Sequence, residues 1–152
     1  MSKWIERQAD RIKRREEHTP EQRRRGDQVR RLIHDRWAEV WQATLAAMSS
    51  DVVAFNAQFP DDPARHITST RSGPDFSASR QDADWSREMQ ITMSDDGIHL
   101  RLARTDRGTG TRTETHDVLP FGVSDSSTVS LLVRSQSGTP AEVAERLLLR
   151  LF

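Results

Sequence analysis

The sequence predicts an α+β domain in which a long N-terminal helix and a C-terminal helix pack on one face of an antiparallel β-meander sheet. Three observations lead there. Apolar residues recur at three-and-four spacing from Val29 to Met48, at alternate positions in short segments after residue 64, and again at helical spacing from Val143 to Leu151. The turn-forming stretches SGP, SDDG, DRGTG and SDSS separate the alternating segments. Both main helical patterns also open on one cap design, Thr19-Pro20-Glu21-Gln22 and Thr139-Pro140-Ala141-Glu142. In each, threonine is the cap, proline takes the first helical position and Gln or Glu follows three residues after the threonine.

A chain of 152 residues suits one domain, since that length buries roughly 70% of its unfolded surface around a single core. Leu, Ile, Val and Phe together number only 31, close to the roughly one-fifth level at which disorder sets in, although the zero net charge opposes wholesale disorder. The division expected is a helical or frayed arm over residues 1–18 and an α+β domain over 19–152. The absence of cysteine excludes a disulfide framework, a thiolate metal site and a cysteine nucleophile. The longest apolar run is far short of the ~20 residues that cross a bilayer, and MSKWIERQADRIKRR has no leader-like apolar region. A cytoplasmic protein with no membrane partner is expected.

Residues 1–17 place Trp4, Ile5, Ala9 and Ile12 at helical spacing, a helix of about 24 Å that alone would be marginal in water. After the Thr19 cap the stripe runs Val29, Leu32, Ile33, Trp37, Val40, Trp41, Leu45 and Met48. Trp37 and Trp41, one turn apart, are assigned to the core. Val52, Phe55 and Phe59 extend the pattern beyond a Ser49-Ser50-Asp51 break, Pro60 and Pro63 stop it, and a kink is expected near Gly26. ARHITSTR, DFSASR, WSREMQITM, GIHLRLAR, TRTETHDV and TVSLLVR then supply five or six strands. A two-residue turn at Asp96-Gly97 sets Met93 opposite Leu100 and Ile91 opposite Leu102. A second turn at Arg107-Gly108 sets Leu102 beside Thr113 and Leu100 beside Thr115. The closing helix turns Val143, Ala144, Leu147, Leu148 and Leu151 inward.

Charge is divided unevenly. Residues 1–36 hold 12 basic and 7 acidic side chains, and residues 37–152 hold 11 basic and 16 acidic. Such a dipole suits an anionic partner at the first part, or head-to-tail association between chains. Arg23, Arg24, Arg25, Arg30 and Arg31 surround the helix rather than gathering on one side as a groove-reading helix requires. Asp10/Arg14, Glu21/Arg25 and Asp27/Arg31 stand in the favourable acid-before-base order, so the bland reading is a solvated, salt-laced helix. In the expected register His99 faces His116 and Arg101 faces Glu114 on the polar side of the sheet. Two imidazoles and a carboxylate suit metal binding or acid–base chemistry, but an exposed sheet face carries such residues without any chemistry. No Gly-rich phosphate loop, HExxH or GxSxG is present.

The leading reading is a non-enzymatic protein-interaction module that self-associates as a homodimer through the arm residues Trp4, Ile5 and Ile12, with no cofactor and no metal. The partner is then the chain itself or another protein. Nucleic-acid or other polyanion binding through Arg23, Arg24, Arg25, Arg30 and Arg31 is the alternative. A small enzyme or metal site at His99, Arg101, Glu114 and His116 comes third.

Overall fold

The computed structural model describes residues 3–16, 20–94 and 97–152, with the side chains of 15 and 16 left aside. The cap expected on Thr19 and the turn position of Asp96 lie outside the described residues. Helix α1 spans Lys3–Glu16 and α2 spans Pro20–Asn56. At 37 residues, α2 is roughly 56 Å long. It passes unbroken through Gly26 and through Ser49-Ser50-Asp51. Its later half explains the second of these: Trp41, Thr44, Leu45, Met48 and Val52 are all buried, and such packing outweighs the weaker helix preference of Ser and Asp. The buried Thr44 hydroxyl donates to the Val40 carbonyl at 2.8 Å, so that hydroxyl is not left bare.

At its end, α2 is tied to the sheet by one amide side chain. Asn56 Oδ1 accepts from the Ile67 N–H at 2.8 Å, and Asn56 Nδ2 donates to the Ile67 carbonyl at 2.9 Å. A 3-10 turn, Pro63–Arg65, bridges the gap. The strands β1 Thr68–Ser72, β2 Asp75–Gln81, β3 Trp85–Ser94, β4 Gly97–Asp106 and β5 Arg112–Leu119 then form a five-stranded antiparallel meander in chain order.

Three rows of side chains cross the inner face of this sheet: Met93–Ile98–Leu119, Phe76–Ile91–Leu100–Asp117 and Ala78–Met89–Leu102–Thr115. The alternation expected from the sequence is present, but the register differs by two residues. Met93 lies opposite Ile98 and Ile91 opposite Leu100. Pairing closes at Ser94 opposite Gly97, with Gly97 at φ +134, a conformation open to glycine. This register gives Ile98 and Met89 apolar partners and buries both in the core. The expected one would have set Ile98 against an aspartate.

The next connection is also longer than expected. Asp106 N–H donates to the Thr111 carbonyl at 2.9 Å, and the Asp106 carboxylate accepts from the N–H of Gly108 at 2.8 Å and of Thr109 at 3.1 Å. These donors, Thr109 foremost and then Gly108, hold the Asp106 carboxyl below its ordinary value. Gly110 at φ +72 completes the loop. Leu102 consequently faces Thr115 and Leu100 faces Asp117.

The segment TVSLLVR does not extend the sheet. It supplies β7, Val129–Leu131, which pairs with β6, Phe121–Val123, in a separate two-stranded ribbon. Helix α3, Pro140–Leu148, opens on the expected box: Thr139 Oγ1 accepts from Glu142 N–H while the Glu142 side chain accepts from Thr139 N–H. A 3-10 turn, Leu149–Leu151, follows. Helices α2 and α3 share one core with the inner face, joining Trp41, Leu45 and Met48 to Met89, Ile91, Leu100, Leu147 and Leu151. Trp41 is fully buried and donates Nε1–H to the Pro74 carbonyl at 2.8 Å. Trp37 is half-buried, its ring tilted against Phe121 at 6.4 Å. Among the described residues, no helix is long and apolar enough to cross a membrane.

Candidate functional site

The arm is helical, and every described side chain on it faces solvent. Trp4 is 66% exposed, Ile5 40% and Ile12 55%. They form a narrow apolar stripe of about two turns, flanked by five basic and two acidic side chains over residues 3–14. A matching surface lies near the C-terminal end of α2. Between α2 and α3 runs a cavity of about 520 Å³, walled by Ala54, Phe55, Ile67, Leu148, Leu149 and Phe152. Its rim carries Asp51, Glu142 and Glu145.

The arm does not reach that groove in its own chain. Phe55 lies 35 residues along α2 from Pro20, roughly 52 Å at the helical rise. Trp4 extends no farther than ~32 Å from Pro20, counting ~18 Å of helix to Glu16 and ~14 Å for the remaining chain fully stretched. The shortfall is about 20 Å.

The five arginines Arg23, Arg24, Arg25, Arg30 and Arg31 are all exposed. Asp27 pairs with Arg30 at 3.8 Å, with both side chains well in solvent, a contact of small energetic weight.

His99 and His116 do meet. Nδ1 of His99 and Nε2 of His116 are 2.9 Å apart, with the rings stacked at 5.1 Å. They meet on a diagonal, however, because the register moves His99 opposite Val118 and Arg101 opposite His116. The expected Arg101–Glu114 partnership is replaced: Glu114 lies opposite Ala103 and takes two bonds from Arg112, at 2.9 and 3.2 Å. The Arg112 guanidinium is held above its ordinary value chiefly by that Glu114 bond. Gln90, Thr92, His99, Arg101 and His116 line a hollow of about 190 Å³. Among the described residues, no three His, Asp or Glu side chains gather as a metal site.

Comparison with known proteins gives no precedent. No family model, curated protein or solved structure matches this chain.

A further constellation escapes sequence reasoning as applied above. Below the apolar rows, the inner face continues into a fourth row, Arg80–Arg87–Arg104, three like charges side by side across β2, β3 and β4. Like charges directly opposite one another oppose pairing. Burial lowers the Arg87 guanidinium from its ordinary value, and Arg104 and Arg80 add to that. Aromatic faces offset part of the repulsion: Arg87, Arg80 and Arg104 stand 4.5, 5.3 and 5.9 Å from the Trp85 ring, and Arg80 is 4.2 Å from the Phe152 ring. Arg80 Nε is buried without a hydrogen-bond partner. The signal was present in the sequence as phase. Phe76-Ala78, Met93-Ile91-Met89 and Ile98-Leu100-Leu102 each continue, two residues on, into an arginine.

Proposed function

We propose that this protein is a non-enzymatic interaction module that self-associates, the arm α1 of one copy lying in the groove between α2 and α3 of another. The observation that carries the reading is the unreachable match: an exposed basic–apolar helix and an acid-rimmed apolar groove that one chain cannot bring together. Charge supports the pairing, since the arm's basic flanks complement Asp51 and Glu145. Reciprocal exchange satisfies both arms and both grooves and closes as a two-fold dimer.

Sedimentation of the full chain over a concentration series tests this. A monomer–dimer equilibrium is expected, with Trp4→Glu plus Ile12→Glu weakening it at least tenfold, about 1.4 kcal/mol. Neither side chain is part of the core, so thermal unfolding of the monomer stays unchanged. Glu145→Lys, on the exposed side of α3, weakens the dimer from the groove side. A full chain that stays monomeric at high concentration, or a dimer indifferent to both changes, refutes the reading.

A further inference from the structure

Beyond the arginine row, the protein surface opens into a cleft of about 470 Å³ lined by Arg87, Arg134, Arg146 and Arg150 with Val133, Gln136, Leu149 and Phe152. We infer that this cleft is a binding site for a small organic anion, a carboxylate or phosphate head held by the guanidinium groups with an apolar body against Val133, Leu149 and Phe152.

The chemistry of the wall points that way. Four arginines line the cleft, and among the described residues two side-chain carboxylates stand near them: Asp117 3.9 Å from Arg150, and Glu142 3.6 Å from Arg146. Arg146 also donates to the Ser137 carbonyl at 2.8 Å, and Arg87 donates to the main-chain oxygens of Arg150 and Phe152. These contacts fix the stems and leave further guanidinium N–H donors, of which each arginine has five in a planar fork suited to carboxylate and phosphate. Arg87 is also the middle member of the like-charge row Arg80–Arg87–Arg104, so two further guanidinium groups stand behind the cleft, of which Arg80 has Asp82 at 3.9 Å. The volume falls in the range of small-molecule pockets, larger than an anionic head alone requires.

A second, independent feature is backbone strain at the rim. Val133 and Gln136 pair across a tight turn whose central residues, Arg134 and Ser135, both adopt left-handed conformations, φ 52 and 62. Asn and Gly fill such positions readily, and a long side chain does so at a cost. Strain of this kind concentrates at binding sites, where a particular side chain is kept at the expense of local comfort. Here the residue kept is an arginine that lines a cleft already walled by three others.

The test is calorimetric titration of the full chain with phenyl phosphate and 3-phenylpropionate, with inorganic phosphate as head alone and phenol as body alone. One saturable site per chain is expected for at least one aromatic anion, and the two arms separate a phosphate from a carboxylate preference. Inorganic phosphate and phenol should each bind at least tenfold more weakly than that anion. Arg134→Asn should weaken the anion at least tenfold while the chain unfolds at the same or a higher temperature, because asparagine suits the left-handed turn. Arg146→Gln serves as a second variant. No saturable binding of either aromatic anion, equal binding of phenol, or affinity unchanged in both variants overturns the proposal. Inorganic phosphate binding as tightly as phenyl phosphate overturns the apolar half of it. The groove and the cleft share Leu149 and Phe152. The titration is therefore repeated on Trp4→Glu plus Ile12→Glu, where the cleft must still bind whatever becomes of the dimer.

Discussion

The Asn56 clasp offers a quantitative test of how α2 is anchored. Its amide forms two hydrogen bonds to one residue, Ile67 N–H at 2.8 Å and Ile67 carbonyl at 2.9 Å, completing the pairing that a neighbouring strand would otherwise supply. Asn56→Ala removes both. If water replaces them at this half-buried position, the loss is about 1 kcal/mol per bond, or ~2 in all. If the Ile67 amide groups remain dry beside the buried Ile67 side chain, the cost rises to ~4 kcal/mol. For a chain of this size that corresponds to a Tm lower by roughly 4–16 °C.

Asn56→Asp separates hydrogen bonding from packing. The carboxylate still accepts from Ile67 N–H, but its second oxygen opposes the Ile67 carbonyl, so the ionised form is disfavoured and the carboxyl is pushed up in the folded state. The sign follows from proton linkage. A carboxyl raised on folding destabilises above its folded value, and the penalty fades as pH falls toward the unfolded value of ~3.9, where the protonated group can donate. At pH 7 Asn56→Asp should be no more stable than Asn56→Ala, and at pH 4 it should be the more stable of the two by denaturant unfolding. A cost of Asn56→Ala below about 0.5 kcal/mol, within the scatter of ordinary surface substitutions, would refute the clasp. So would a gap between the two variants that is the same at both pH values.

Thr139→Ala deletes the side-chain half of the α3 capping box, the acceptor for Glu142 N–H, while the backbone N–H of residue 139 can still donate to Glu142. It should cost about 1 kcal/mol, read as a Tm drop of roughly 2–4 °C, and no change would mean the closing helix does not depend on that bond. Asp106 should titrate by NMR below the ordinary range of an aspartate. Because its folded value is depressed, its contribution to stability is present above the unfolded value and lost as pH falls through the folded one. An ordinary midpoint would remove the loop account.

Helix and strand faces were legible because they depend on period alone. The stripe from Trp37 to Val52 and the alternation through Met89, Ile91 and Met93 name the buried positions whatever lies opposite them. The continuity of α2 through Ser49-Ser50-Asp51 was less legible, since it is settled by Met48 and Val52 packing in the core on either side. The strand near Val129 was recognised as a strand but not by its partner, because pairing with Phe121–Val123 depends on the three-dimensional course of the chain. The groove between α2 and α3 required knowing that Phe55 and Leu148 converge across 93 residues.

The arginine row shows most sharply where sequence reading stops. A slip of two residues leaves every side chain on its own face, so the two-residue difference in register cost the architecture nothing. Cross-strand neighbours, by contrast, all change. In the expected register Arg87 would have faced Asp106, an ion pair that looks settled and asks for no partner. In the observed one Asp106 faces Trp85 and spends its carboxylate on its own loop, while Arg87 stands between Arg80 and Arg104. The same residues on the same face thus pass from neutralised to charge-surplus through register alone. That row, rather than the start of α2 whose five arginines all sit in solvent, is where the fold sets positive charge against a wall.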